Sequence, residues 1–135
     1  MPALLFVCVE NSCRSQIAEA YARSLAGADW IVASAGSHPA PSVHPRATSF
    51  MKEVGMDLAG HRPKGLGEIP SLTWDAIVTM GCGDACPHLP ARKRFDWDLP
   101  DPKDLPEEEF RKVRDEIRRR VMDLIQGMRR SAPDC

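Results

Sequence analysis

Cys8 and Arg14 bracket five residues, Val9-Glu10-Asn11-Ser12-Cys13, between a short apolar run and a stretch with helical periodicity. Where a buried strand turns into a helix, the first backbone N–H groups have no partner, and the helix dipole adds positive potential. Such a turn suits a tetrahedral oxyanion. The N–H groups of Val9, Glu10, Asn11, Ser12 and Cys13 would curl around it, with the Cys8 sulfur beneath and the Arg14 guanidinium fork at its side. The same field acts on the thiol. A free cysteine has a pKa of ~8.5, and a helix N-terminus with a nearby cation brings it to roughly 3.5–7.5. Cys8 is therefore expected to be a thiolate nucleophile. Asn11 is expected to brace the loop by side-chain hydrogen bonds, Ser15 to support it from the helix start, and Cys13 to be a small packing residue.

Two further thiols stand close together in Cys82-Gly83-Asp84-Ala85-Cys86-Pro87. In a regular helix, Cβ atoms four residues apart lie ~5–6 Å from each other, whereas a disulfide needs ~3.8 Å. Pairing Cys82 with Cys86 would require the segment to bend or unwind, which Gly83 and the stop at Pro87 permit. Cys82, Cys86 and His88 could instead bind zinc, although only three ligands cluster and no second Cys-x-x-Cys is present. His38, His44, His61 and His88 show no joint metal spacing, and Cys135 reads as a free tail thiol. Asp101 lies in Leu99-Pro100-Asp101-Pro102, where proline on both sides fixes the backbone of one carboxyl group. A carboxyl held in this way suits a general acid. Asp96 and Asp98 read as solvated.

The elements that must position these groups follow from periodicity. Residues 3–7 are wholly apolar, as in a strand buried on both faces. Residues 15–26 place Ile17, Tyr21 and Leu25 on one helical face that ends at Gly27. Residues 30–35 give a second strand, and 37–45, with three prolines, a loop. Pro45 opens a helix whose face is Ala47, Phe50, Met51 and Val54, up to Gly55. Residues 60–67 form an irregular connection, 75–80 a third buried strand and 93–97 a shorter fourth. Phe110, Val113, Ile117, Val121, Leu124 and Met128 form one apolar stripe on a long final helix. Its acidic first turn and basic end match the helix dipole, and Arg118-Arg119-Arg120 belongs to its wet side. Strands alternating with helices predict an α/β fold with a parallel sheet, in a single domain spanning 1–135.

Composition excludes several classes. The chain has 135 residues, a formal net charge of −1 and no apolar run approaching a membrane span. Broad affinity for nucleic acid or anionic membrane is therefore not expected. The N-terminal apolar run lacks a basic region before it and does not read as a signal peptide. Five cysteines, an odd number, in a chain with a good core point to reduced thiols in a cytoplasmic setting rather than to a disulfide scaffold.

Cys8-x-x-Asn11-x-x-Arg14-Ser15 followed by Ala18-Glu19 resembles the signature of the low-molecular-weight protein tyrosine phosphatase superfamily, which includes thioredoxin-coupled arsenate reductases. Ser34-Ala35-Gly36 and Asp101-Pro102 match in order and spacing, so the resemblance covers nearly the whole chain. It implies a four-stranded parallel sheet in order 2-1-3-4 flanked by helices. In that sheet the first and third strands are neighbours, ~4.8 Å apart, and their carboxyl ends form the switch point where such folds bind ligands. Cys8 then lies at one strand end and Cys82 just past the other.

A phosphatase needs no thiol at that second position, whereas a reductase does. The resemblance thus implies reduction of arsenate to arsenite. Phosphate and sulfate would be competing oxyanions, and Cys8, Cys82 and Cys86 would form a disulfide relay to thioredoxin or a similar thiol reductant. Asp101 would be the acid, and no metal or organic cofactor would be needed. The other reading within the superfamily is a tyrosine phosphatase with inert Cys82 and Cys86. Against it, Lys103 stands after Asp101-Pro102 where the phosphatases carry an aromatic residue. Residues 37–45 also contain no tyrosine or tryptophan.

Overall fold

A computed structural model describes residues 2–81 and 89–131. Cys82, Cys86, His88 and Cys135, with the readings attached to them, lie outside the described residues. Four parallel strands, β1 (Ala3–Cys8), β2 (Ile31–Gly36), β3 (Trp74–Thr79) and β4 (Ala91–Asp96), form one sheet in the order β2-β1-β3-β4. The wholly apolar β1 is buried along its length because it is central and covered on both faces. Leu4, Phe6 and Cys8 join one core cluster while Ala3, Leu5 and Val7 join the other, the two-residue alternation of a strand. The register pairs Cys8 with Gly36, Val7 with Thr79, and Thr79 with Asp96, so all four carboxyl ends come level.

Helices α1 (Arg14–Ala26) and α3 (Glu107–Ser131) cover the first face, with the shorter α2 (Pro45–Lys52) beside them. The second face is closed by Leu66, Ile69, Leu72 and Leu89 from connecting segments. β4 differs from its neighbours. It runs Ala91–Asp96, starting two residues and ending one residue earlier than expected, and is largely exposed and charged, as suits an edge strand that must not pair further. Trp97 follows it and packs against Phe6, ring centroids 6.0 Å apart.

Two apolar positions behave differently from the periodic pattern. Val54, expected on the buried face of α2, is 39% exposed. The regular helix stops at Lys52, and Gly55 in the left-handed region (φ +81°) turns the chain. Gly55 N–H donates to Lys52 O and Met56 N–H to Met51 O, the paired bonds of a Schellman cap. On α3, Phe110, Val113, Ile117 and Val121 are buried as expected, but the next deep residue is Ile125, with Leu124 and Met128 only half-buried.

Glu53 joins α2 to α3. It accepts from Arg111 (Nε 3.1 Å, Nη2 2.9 Å) and from the buried Arg114 (Nη1 2.8 Å), whose Nη1 also reaches Phe50 O at 2.9 Å. Hydrogen bonds from Arg111, then Arg114, hold the Glu53 carboxyl down at about 2. A depressed carboxyl contributes stability that is complete above its ordinary value of 4.5 and is lost as pH falls toward 2. Glu53→Gln is expected to lower the melting temperature at neutral pH. Thermal denaturation followed by circular dichroism should show the difference from the parent protein closing across that acid window and staying constant from pH 6 to 8.

Candidate active site

The loop between β1 and α1 is held from outside by its carbonyl groups. Val9 O accepts from His38 N–H (2.8 Å), Glu10 O from Ala40 N–H (2.9 Å), Ser12 O from His44 N–H (2.9 Å) and Cys13 O from Ile17 N–H (3.0 Å). Asn11 O accepts from Gln16 Nε2 (3.0 Å). In a trans peptide the following N–H points opposite to the carbonyl, and the described chain contains no cis bond. The N–H groups of Glu10, Asn11, Ser12, Cys13 and Arg14 therefore face the loop's inner side, and those of residues 10–13 donate to no described residue. Of the expected ring, Val9 is seen here through its carbonyl. The proline-rich segment supplies three of these donors. Pro39, Pro41 and Pro45 restrict the backbone, while His38, Ala40 and His44 between them supply the donors.

Asn11 has φ +51°, a left-handed conformation that asparagine tolerates better than most residues. Its side chain, fully buried, accepts at Oδ1 from Lys64 N–H (2.9 Å) and Gln16 Nε2 (3.1 Å). Those two donors orient the amide so that Nδ2 donates to Ser15 Oγ at 2.7 Å. Ser15 Oγ lies 2.8 Å from Cys8 Sγ. Because the serine oxygen already accepts from Asn11, its own proton is free for the Cys8 sulfur, where it would stabilise a thiolate. Cys13 is the opposite case. Burial above all, then the charges of Asp101 and Cys8, push its thiol up to about 12, so it stays protonated.

Arg14 is buried, and its Nη1 donates to Leu99 O at 2.9 Å while Nη2 stands 3.8 Å from Asp101 Oδ2. Gly81, just past β3, presses on it. A Cβ there would lie 2.5 Å from Arg14 Nη1, and φ is +81°. Asp101 is anchored in turn by Lys103 N–H (3.2 Å to Oδ1), and Arg46 Nη1 donates to Lys103 O at 2.8 Å. The structure thus brings Cys8, Asn11, Arg14, Ser15 and Asp101 into one site.

A second layer had no clear signal in the helical period. Gln16 and Glu19, three apart on α1, are both buried. Gln16 Nε2 also donates to Arg62 O (3.0 Å), which turns Oε1 toward His61 Nδ1 at 2.9 Å. His61 therefore carries its proton on Nδ1, and burial foremost moves its pKa below the ordinary histidine value. Glu19 accepts from Ser34 Oγ (2.5 Å) and Arg23 Nε (2.9 Å), with Lys64 Nζ at 3.7 Å. Glu19 and Ser34 enter the sequence reading only as parts of the family signature, with no role attached, and the structure pairs them. Among the described residues, no group of three or more His, Cys, Asp or Glu is placed to hold a metal ion.

The family model described as low molecular weight phosphotyrosine protein phosphatase matches residues 3–133. The chain belongs to this family. Within it, the chain is 40% identical over 119 residues to an arsenate reductase of Staphylococcus aureus, covering 85% of this chain and 89% of that protein. A solved arsenate reductase in the phosphate binding state superposes with a TM-score of 0.83 at 35% identity, covering 94% of this chain and 98% of the other. A thioredoxin-dependent arsenate reductase of Corynebacterium glutamicum gives 0.79 at 35% identity, over 98% of this chain and 64% of that one. The four-strand order 2-1-3-4 expected from the resemblance is the order found.

Gly36 ties the second strand to the loop. A Cβ there would fall 2.5 Å from Val9 O and 2.9 Å from Asn11 N. Gly36→Ala is therefore expected to weaken phosphate binding by about tenfold or more, roughly 1.4 kcal/mol. Gly60→Ala, where nothing lies within 4 Å, should leave it intact. Protection of Cys8 from iodoacetamide by phosphate measures both. Equal protection in the two variants would contradict the close packing described here.

Proposed function

We propose that this chain reduces arsenate to arsenite in the cytoplasm, using the Cys8–Arg14 loop as the oxyanion site and Cys82 and Cys86 as a redox relay to thioredoxin or a similar thiol reductant. The observation that carries the reading is the contact of Gly81 with Arg14. The chain leaves β3 against the oxyanion arginine, and the next residue in the sequence is a cysteine. The arsenate and thioredoxin assignments rest on the named relatives, and reduced thiols suit a cytoplasmic setting. No described helix is long and apolar enough to cross a membrane.

In this reading, arsenate sits against the N–H groups of residues 10–14 and the Arg14 guanidinium. The Cys8 thiolate, supported by the Ser15 hydroxyl, attacks arsenic, and Asp101 protonates the departing oxygen so that it leaves as water. The Cys82 thiolate then attacks Cys8 Sγ. The sulfur–arsenic bond breaks with its electron pair remaining on arsenic, so arsenite departs and a Cys8–Cys82 disulfide remains. Cys86 attacks Cys82, frees Cys8 as a thiolate and leaves a Cys82–Cys86 disulfide for the external dithiol. Cys8 and Asp101 suffice for hydrolysis of small aryl phosphates without Cys82, and this is expected as a weak second activity.

Turnover of arsenate with a thioredoxin system, measured beside hydrolysis of an aryl phosphate, tests the assignment. Cys82→Ser is expected to abolish the first and leave most of the second, and parallel loss of both would show that the roles are not separate. Cys86→Ser is expected to release about one arsenite per enzyme and stop as a Cys8–Cys82 disulfide visible by peptide mapping. Sustained turnover by Cys86→Ser with thioredoxin would refute the three-cysteine relay. Loss of bound metal with destabilisation would favour zinc instead.

A further inference from the structure

Two ion pairs cross from the oxyanion loop to the turn that carries Asp101. One is Arg14–Asp101 at 3.8 Å, already part of the site. The other has no role in the chemistry above: Lys103 Nζ reaches Glu10 Oε1 at 2.9 Å and stands 3.9 Å from Asp101 Oδ2. Glu10 belongs to the loop whose N–H groups face the oxyanion, and Lys103 lies two residues beyond the proposed acid. The pair therefore spans the gap between the anion's cradle and the group above it.

We propose that the Glu10–Lys103 bridge determines specificity, admitting a bare inorganic oxyanion to the loop and discriminating against phosphate or arsenate esters, whose organic substituent would have to pass between the loop and the Asp101 turn. The inference rests on the oxyanion-site reading but not on the redox relay.

The turn is not free to move aside. Arg46 Nη1 donates to Lys103 O (2.8 Å) and Pro102 O (3.4 Å), and its guanidinium lies over the rings of Phe50 and Phe110, 5.5 and 5.1 Å from their centroids. Those rings are stacked on each other at 4.5 Å in the interface between α2 and α3. With the backbone of residues 102 and 103 fixed to the core, access depends on the two side chains. Lys103 and Glu10 are each more than a third exposed, so the pair opens at little cost in water. An aryl group lodged between them is a different matter. It separates the charges and removes water from both without offering a partner to either. An inorganic oxyanion needs no such space and leaves the bridge closed. The ammonium is held above its ordinary range chiefly by the hydrogen bond to Glu10, so it stays charged wherever the enzyme would work.

The test compares Lys103→Met, Glu10→Gln and the double variant, reading kcat/KM for para-nitrophenyl phosphate and the inhibition constant for inorganic phosphate. The bridge predicts that both single variants raise kcat/KM for the aryl ester relative to phosphate affinity by at least fivefold. It also predicts that the double variant adds little more, because each change removes the same obstacle. If Lys103 acted only as a positive charge, Lys103→Met would weaken and Glu10→Gln would tighten binding of both anions, and the ratio would not move. That result, or no change in any variant, would overturn the proposal. Failure of the parent protein to reduce arsenate would defeat the reductase assignment and leave this measurement untouched.

Discussion

The site depends on which way five peptide groups face. The carbonyls of residues 9–13 are each engaged by a donor outside the loop, and planarity of the trans peptide then points five N–H groups inward. Turning one of them over would forfeit an outer hydrogen bond and present a carbonyl oxygen to the space the loop encloses. The donors come from three places: the proline-rich segment, the Gln16 side chain and the first turn of α1. The electrostatic environment of Cys8 is thus maintained by donors that lie outside the loop, the arrangement a preorganised oxyanion site requires.

That dependence extends inward through Asn11. Its left-handed backbone is one constraint and its amide is another, fixed by Lys64 N–H and Gln16 so that the opposite end serves Ser15 and, through it, Cys8. Gln16 is oriented by Arg62 O and His61, and the same region holds Glu19 with Ser34, Arg23 and Lys64. The strand ends close the arrangement from the other side. Level register places Gly36 under Asn11 and carries β3 on to Gly81 against Arg14, and neither position has room for a Cβ.

How legible this was in the sequence divides by the range of the interaction. The strand–loop–helix unit around Cys8 was readable because an apolar run, a cysteine, an arginine and a helical period follow one another within 26 residues. The parallel sheet was readable from alternation, and its order came from the family resemblance. The limits of α2 and β4 were less well placed, because Val54 and Trp97 are apolar for reasons local spacing does not express: one follows a cap, the other packs beyond its strand on Phe6. Gln16 gives no signal in the sequence, and Glu19 enters only as part of the family signature, without its buried role. On a helix such residues usually face water, and their burial results from Arg62, His61 and Lys64, more than forty residues away in sequence. The proline-rich segment reads as a loop, but nothing in its composition says that its N–H groups hold another segment's carbonyls.

The same geometry explains how hydrolysis and reduction can share one fold. A thiolate beneath an oxyanion, an arginine beside it and a carboxyl on a proline-fixed turn are sufficient to form and protonate an adduct, whether the central atom is phosphorus or arsenic. What happens next depends on what can reach the Cys8 sulfur. Water attacking the central atom completes a hydrolysis, whereas a second thiol attacking sulfur leaves the electron pair on the central atom and completes a reduction. Arsenic accepts that pair readily and phosphorus does not, so a second thiol able to reach that sulfur would turn the same loop from hydrolysis to reduction. The Asp101 turn and the end of β3 are separate segments, and both approach Arg14: Leu99 O and Asp101 from one side and Gly81 from the other.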